Sequence, residues 1–378
     1  MISGLFKLDS LTKSPCSWIG KVDSVGEQPQ IVVVGAGAIG MSLSGWISPN
    51  YGNLSLLAIG ESLRVIKERG LKSYAKGKRE VTVAMPLRAI GSMSEVESPD
   101  IVVISVKNYD LDSTSRDLKR QLCDHEPVVV ALQNGVSNQQ ILPKYFARVV
   151  YGVVCYNAWR DAPGEVGHER QGYIILGTPA NDLQDEMLEI KRIFDLGIRC
   201  VITDRLQDAA HCKLVVNLAN PLMTLVGAER RPIESYGILA KMTLALYKEG
   251  IELLQAAGFH EHSLGPVPSW RFLRLGARLP AFLLTPVLRL NAGRLGMNSM
   301  AQDVFGGRSN TELEELNGYM LGLARKTGFP TPINETVYDV ARERFGPGFR
   351  PISETELWTR IKERVRAAKS GQNAIPRH

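Results

Sequence analysis

The sequence predicts an α/β domain followed by a mostly α-helical one. Three observations carry this. Up to about residue 203, short β-branched apolar runs alternate with helix-compatible stretches. A glycine-rich turn directly follows the first of those runs. Beyond residue 204 the strand signals fade and amphipathic helical patterns take over.

Ile31–Val34 is a continuous β-branched run, as expected of a strand covered on both faces of a parallel sheet. A second run spans 54–59, with helical sequence at 62–69. Runs 101–106 and 128–132 follow, separated by the helix-compatible stretch 111–122. Such alternation implies a parallel sheet with helices on both faces. Stretches 151–159 and 173–176 read as added strands, with a turn at Pro163-Gly164 between them. Segments 205–218, 238–257 and 312–327 read as amphipathic helices. The chain then divides into a flexible N-terminal extension (1–29), the α/β domain (30–203), the helical domain (204–367) and a polar tail (368–378).

A length of 378 residues suits two domains, and 44% hydrophobic with 22% charged residues is an ordinary globular balance. The net charge of +6 suits a small anionic ligand. The basic residues form no dense run, which argues against nucleic acid. The five cysteines include no C-x-x-C pair and read as reduced thiols of a cytoplasmic protein; Cys212 reads as a buried structural thiol. The six histidines form no ligand set, so no metal is expected. Lys7 and Asp9 interrupt the one apolar stretch before Gln30, so no signal peptide is expected, and no run is long enough to span a membrane.

Gly35-Ala36-Gly37-Ala38-Ile39-Gly40 lies between the first strand and a helix. Gly35 permits the tight turn, Gly37 lets backbone approach a pyrophosphate, and Gly40 lets helix and strand pack closely. The N–H groups of the helix start then face the phosphates. In this strand–turn–helix context the fingerprint makes the first domain a Rossmann dinucleotide-binding domain. An acid at the end of the second strand would hold the ribose 2′-OH, and an arginine there would hold a 2′-phosphate. Ala58-Ile59-Gly60 offers neither. Glu61 lies just beyond, Arg64 and Lys67 lie on the next helix, and Lys107 follows the strand at 101–106. Lys107 is a candidate phosphate cation, and NADP is the expected coenzyme, with NAD left open.

Four blocks together resemble the ketopantoate reductase family. They are Gly35 to Gly40; Ser105-Val106-Lys107 with Gln133-Asn134-Gly135; the run from Lys213 to Leu222; and Asn298 to Asp303 with Asn310 to Gly318. The resemblance spans roughly residues 30–344. It implies reduction of a 2-oxo acid to a 2-hydroxy acid with NADPH, on the pathway to pantothenate, in a cleft between a Rossmann and a helical domain. It matches Lys213 to a catalytic lysine, Glu312 to an essential glutamate, and Asn134 to an asparagine near nicotinamide and substrate. Asn217, Asn220 and Ser299 match polar groups that hold the substrate. Monomers and dimers both occur among such reductases, so a homodimer is open. Three departures stand out: Ile59 occupies the place of the 2′-phosphate arginine, the Asn217–Asn220 spacing is one residue shorter, and the stretch 266–296 is longer.

The residues themselves suit this chemistry. Negative charge grows on a ketone oxygen as hydride arrives, and a neighbouring cation stabilises it and supplies the proton. Lys213, Asn217 and Asn220 at i, i+4 and i+7 share one face of a largely apolar helix. Buried polar groups without partners cost about 1–3 kcal/mol each, so this stripe needs partners, which a substrate carboxylate and hydroxyl would provide. A solvated lysine with structural asparagines is the alternative. Asn310 reads as an N-cap, placing Glu312 in a first turn that favours a carboxylate through the helix dipole. Leu316, Tyr319 and Leu323 continue that face, which would point Glu312 into the cleft.

The stretch 267–295 carries Arg271, Arg274, Arg278, Arg289 and Arg294 without an acidic residue. It reads as an enlarged helical wall with arginines facing the cleft, in preference to a membrane-surface segment, because Pro268, Pro280 and Pro286 break it into short pieces. Two rival functions remain: a reductase of this fold acting on another 2-oxo acid, and a dinucleotide-binding sensor without turnover.

Overall fold

The computed structural model describes residues 28–79, 83–85, 87–169, 171–228, 230–290, 298–308 and 310–372. Most of the expected extension and the last six residues of the expected polar tail lie outside them.

The first domain runs β1 (Ile31–Val34), α1 (Ala38–Ile47), β2 (Leu54–Leu57), α2 (Gly60–Arg69), β3 (Leu71–Ala75), β4 (Val83–Met85), β5 (Arg88–Ile90), β6 (Ile101–Ile104), α3 (Asn108–Leu122), β7 (Val128–Ala131), α4 (Asn138–Ile141), β8 (Val149–Cys155), β9 (Ala158–Ala162), β10 (Glu165–His168), β11 (Tyr173–Gly177), α5 (Gln184–Phe194) and β12 (Arg199–Ile202). Eight strands form the main sheet in the order β12-β11-β8-β7-β6-β1-β2-β5. All pair in parallel except β8 with β11. β1 sits between β2 and β6, with Val34 level with Leu57 and Ile104. The chain therefore changes direction across the sheet at β1, which opens a crevice beyond its carboxyl end. β1, β6 and β7 are buried throughout, as their unbroken apolar sequences require.

The expected strand 151–159 is in fact two. β8 stays in the main sheet, while β9 joins a second sheet of order β4-β3-β10-β9. The chain leaves the main sheet at Asn157, whose carbonyl accepts the Glu169 N–H. Strands as short and mixed as Leu-Lys-Ser-Tyr-Ala carry no apolar period, so this small sheet exists through its partners.

The second domain comprises α6 (Leu206–Asn217), α7 (Ala219–Val226), α8 (Tyr236–Ala256), α9 (Trp270–Arg278), α10 (Ala281–Leu290), α11 (Ser299–Phe305), a π-helical turn at Glu314–Gly318, α12 (Tyr319–Thr327), α13 (Pro332–Arg344) and α14 (Glu354–Gln372). α8 is the central pillar, burying Leu239, Met242, Leu246, Leu253 and Leu254. One apolar core runs from Val102, Ile104 and Val129 on one sheet face into Leu214, Leu218 and Leu246 of the helical domain. A second core, including Met41 of α1 and Ile190 and Phe194 of α5, fills the other face. α14 continues through Gln372, past the expected start of the tail; Arg364 on it pairs with Glu335 and Asp339 of α13. Among the described residues, no helix is long and apolar enough to cross a membrane, and no group of three or more His, Cys, Asp or Glu is placed to hold a metal ion.

Candidate active site

Gly35 adopts φ +108°, turning the chain from β1 into α1. A Cβ on Gly40 would lie 2.0 Å from the Gly35 carbonyl oxygen and 2.5 Å from Ser105 Oγ, so only glycine fits there. Ser105 Oγ donates to the carbonyls of Val34 and Gly35 at 2.9 and 3.1 Å, pinning the turn to the end of β6. Gly37 has nothing within 4 Å of where its Cβ would be. α1 starts there without a side-chain cap and with no acid in its first turn. Open space, uncapped N–H groups and no competing carboxylate make a cradle that fits a dinucleotide pyrophosphate, with Ala36, Ala38 and Ile39 contributing backbone.

Across the crevice, Asn134 is the hub. It sits in the turn after β7, where its carbonyl accepts Asn108 Nδ2 at 2.6 Å, while Gln133 Nε2 donates to the carbonyls of Ile104 and Val106. Gly135 (φ +87°) lets this turn abut the Glu315 carbonyl, 3.1 Å from where a Cβ would lie. The Asn134 side chain accepts from Asn217 Nδ2 at 3.4 Å and hydrogen-bonds the Glu312 carboxylate. Ser299 Oγ, at the start of α11, donates to Glu312 Oε2 at 3.3 Å. Lys213, one turn before Asn217, lines a pocket with Gln133, Asn134, Gly135, Asn138 and Tyr151. Five of the expected residues thus converge: Asn134, Lys213, Asn217, Ser299 and Glu312.

Electrostatics sharpen the site. Burial pushes the Lys213 ammonium below the usual lysine range, against an opposing pull from Cys155. Burial likewise pushes the Glu312 carboxyl above its usual range; Lys107 and the Asn134 hydrogen bond pull it down, and Asp303 pushes it up. Buried titratable groups with displaced pKa values in a crevice make Lys213 and Glu312 candidates for chemistry.

Some expectations about the site differ from the structure. Asn220 lies on a different helix from Lys213 and Asn217: α6 ends at Asn217 and α7 begins at Ala219. Pro221 is the cause: it has no N–H for the Asn217 carbonyl, four residues back. Asn317 Nδ2 caps the Leu218 carbonyl at the break. The Asn220 carbonyl, by contrast, accepts Asn298 Nδ2 at 3.4 Å. Asn310 is not the cap that precedes Glu312; Thr311 Oγ1 accepts the Leu313 N–H, and Glu312 stands just ahead of the helix. Lys107, expected as a phosphate cation, is ion-paired with Asp303 and donates to the Ser299 carbonyl at 3.4 Å. Asp303 escaped notice because its role depends on a partner 196 residues away.

The end of β2, where an acid or an arginine would select the coenzyme, carries an apolar residue. Ile59 is 78% exposed at the end of β2. Arg64 is tied to Glu61 and Glu68, and Lys67 to Glu95. Cys212 is buried, its sulfur accepting the His262 N–H at 3.2 Å, as a structural thiol would. None of the described arginines of α9 and α10 lines the Lys213 pocket, and Arg294 lies outside the described residues. α9 packs inward through Trp270, Leu273 and Ala277, which turns Arg271 and Arg278 to the outside.

Known proteins resemble this chain over most of its length. The sequence model of the ketopantoate reductase PanE/ApbA family matches residues 31–181, and that of its C-terminal part matches residues 205–345. A 2-dehydropantoate 2-reductase of Pyrococcus horikoshii is 24% identical over 324 residues, 84% of this chain and 99% of that protein. Among solved structures, a PanE/ApbA family ketopantoate reductase from Ralstonia eutropha superposes with a TM-score of 0.65 at 22% identity, covering 83% of this chain and 97% of the other. D-mandelate dehydrogenase, in its ternary structure with NADH and anilino(oxo)acetate, gives 0.67 at 20% identity over 83% of this chain and 97% of the other. At these identities the two structures establish likeness of fold.

Proposed function

The chain belongs to the ketopantoate reductase family, and from that membership and the geometry above we propose that it reduces 2-dehydropantoate to pantoate with NADPH. The observation that supports this most is the linkage of Asn134 to Lys213, Asn217, Glu312 and, through Glu312, Ser299, contributed by both domains. The glycine turn would hold the pyrophosphate of a nicotinamide coenzyme, which would supply the hydride. Lys213 carries the ammonium that stabilises charge on the carbonyl oxygen and gives up a proton to it; burial makes that proton easier to lose. Glu312 holds a substrate hydroxyl and keeps Ser299 and Asn134 in place. Asn217 orients the acid through Asn134. Asn220 has no side-chain role in this reading.

One observation favours a second reading. Ile59 offers no charge to a 2′-phosphate, and the nearby cations Arg64 and Lys67 are already paired. That suits NADH and another 2-oxo acid, as in the D-mandelate dehydrogenase complex. Steady-state oxidation of NADPH and NADH with 2-dehydropantoate and with aryl 2-oxo acids separates the readings. Turnover with any of them that drops about 100- to 10,000-fold in Lys213→Ala supports a reductase. Coenzyme binding with no turnover on every acid points instead to a sensor.

A further inference from the structure

The face of α9 and α10 that looks away from α8 is unlike the rest of the surface. Eight large hydrophobic side chains are exposed among the described residues, and five of them lie here: Phe272, Leu275, Leu279, Phe282 and Leu283. Scattered exposed leucines need no explanation, whereas a cluster with two protruding phenylalanines does. The two helices still bury a packing face, with Trp270, Leu273, Ala277 and Leu284 turned inward. The outer apolar groups are therefore surplus to folding.

Arginines border this face. Arg271, Arg278 and Arg289 are exposed and form no ion pair among the described residues, while Arg274 reaches only the neutral Gln255. Arg116 and Arg360, exposed on other helices, are each ion-paired with an acid one turn away, Asp112 and Glu356; the α9–α10 face groups four arginines with no such acid beside them in sequence. The stretch 267–295 contains no Asp or Glu at all. The surface thus combines apolar tips with unmatched positive charge.

We propose that this face docks the protein on an anionic lipid bilayer. Phe272 and Phe282 would enter the headgroup–acyl boundary, and the arginines would extend their apolar stems alongside and place guanidinium groups on lipid phosphates. A second copy is the poorer occupant, because a two-fold contact would set these arginines against themselves. An acidic protein would need pockets shaped for two phenylalanines, whereas a bilayer asks only for apolar insertion and cations. α9 and α10 have 9 and 10 residues, too short to cross a bilayer and suited to lying in its interface. The proposal is independent of which acid the active site reduces.

The test is flotation of the full-length protein with vesicles of phosphatidylcholine alone or mixed with phosphatidylglycerol. Two double variants accompany it, Phe272→Ser with Phe282→Ser and Arg271→Glu with Arg278→Glu, their folding checked by thermal melting. The expected result is at least about tenfold preference for anionic vesicles, lost about tenfold in each double variant at unchanged melting temperature. Equal binding to neutral vesicles, no binding to either, or full binding by both variants would overturn the proposal. So would a dimer in sedimentation that the variants dissociate without any vesicle binding, since the face would then join two copies. Capture on polyglutamate that ignores the phenylalanine changes would reduce the face to a charge patch and overturn it as well.

Discussion

Lys107 and Asp303 form an ion pair that bolts the Rossmann domain to the helical one. Lys107 follows β6 at the start of α3, and Asp303 lies on α11, with its side chain only 5% exposed. The same lysine donates to the Ser299 carbonyl, and its charge acts on Glu312. The bolt therefore also contributes to the electrostatic balance at Glu312.

Removing one member of a buried pair leaves the other uncompensated. Asp303→Asn is expected to lower stability by about 1–3 kcal/mol, and a double-mutant cycle with Lys107→Met should return a coupling of about 1–3 kcal/mol. Urea unfolding of the four proteins measures both. Additive effects would mean that the two side chains do not sense each other in solution.

The pH response of Lys213 follows from its burial. Its pKa in the folded protein lies below the lysine value of 10.5. Turnover that needs the ammonium should hold at lower pH and decline as pH rises through that depressed value, a limb that Lys213→Met removes. The stability effect has the opposite trend. The folded state sheds this proton more readily than the unfolded chain, so the cost of burying the charge is fully present below the folded pKa and fades as pH climbs towards 10.5. Lys213→Met should thus melt higher than the parent at neutral pH, and the gap should narrow in alkali. A gap that is flat across that window would show an unperturbed lysine.

Coenzyme choice is expected to turn on Ile59. Its side chain is exposed and supports no packing, so Ile59→Arg should fold normally. A guanidinium at the end of β2 would meet a 2′-phosphate, raising the ratio of kcat/KM for NADPH over NADH by about tenfold or more. An unchanged ratio would locate coenzyme selection elsewhere.

Much of the site was legible in the sequence because its residues sit in local patterns. The glycine turn follows a strand run whose period is unmistakable, and Lys213 and Asn217 keep helical spacing. Pro221 was a legible signal for the break that separates Asn220 from them, since the missing N–H acts four residues upstream. The Thr311 cap and the π-helical turn were harder to read, because Asn310 and Thr311 are both competent caps and packing chose between them.

Alternation of β-branched runs and helical stretches by itself determined the doubly covered parallel sheet, since only layers of that kind bury such strands on both faces. It determined the glycine turn after β1 as well, because Gly35, at φ +108°, takes a conformation that L side chains rarely adopt. The tertiary structure alone decided which charges meet. Lys107 finds Asp303, Asn134 finds Glu312, and the arginines of α9 face outward, because Coulomb attraction and desolvation depend on distances through space that no local period records.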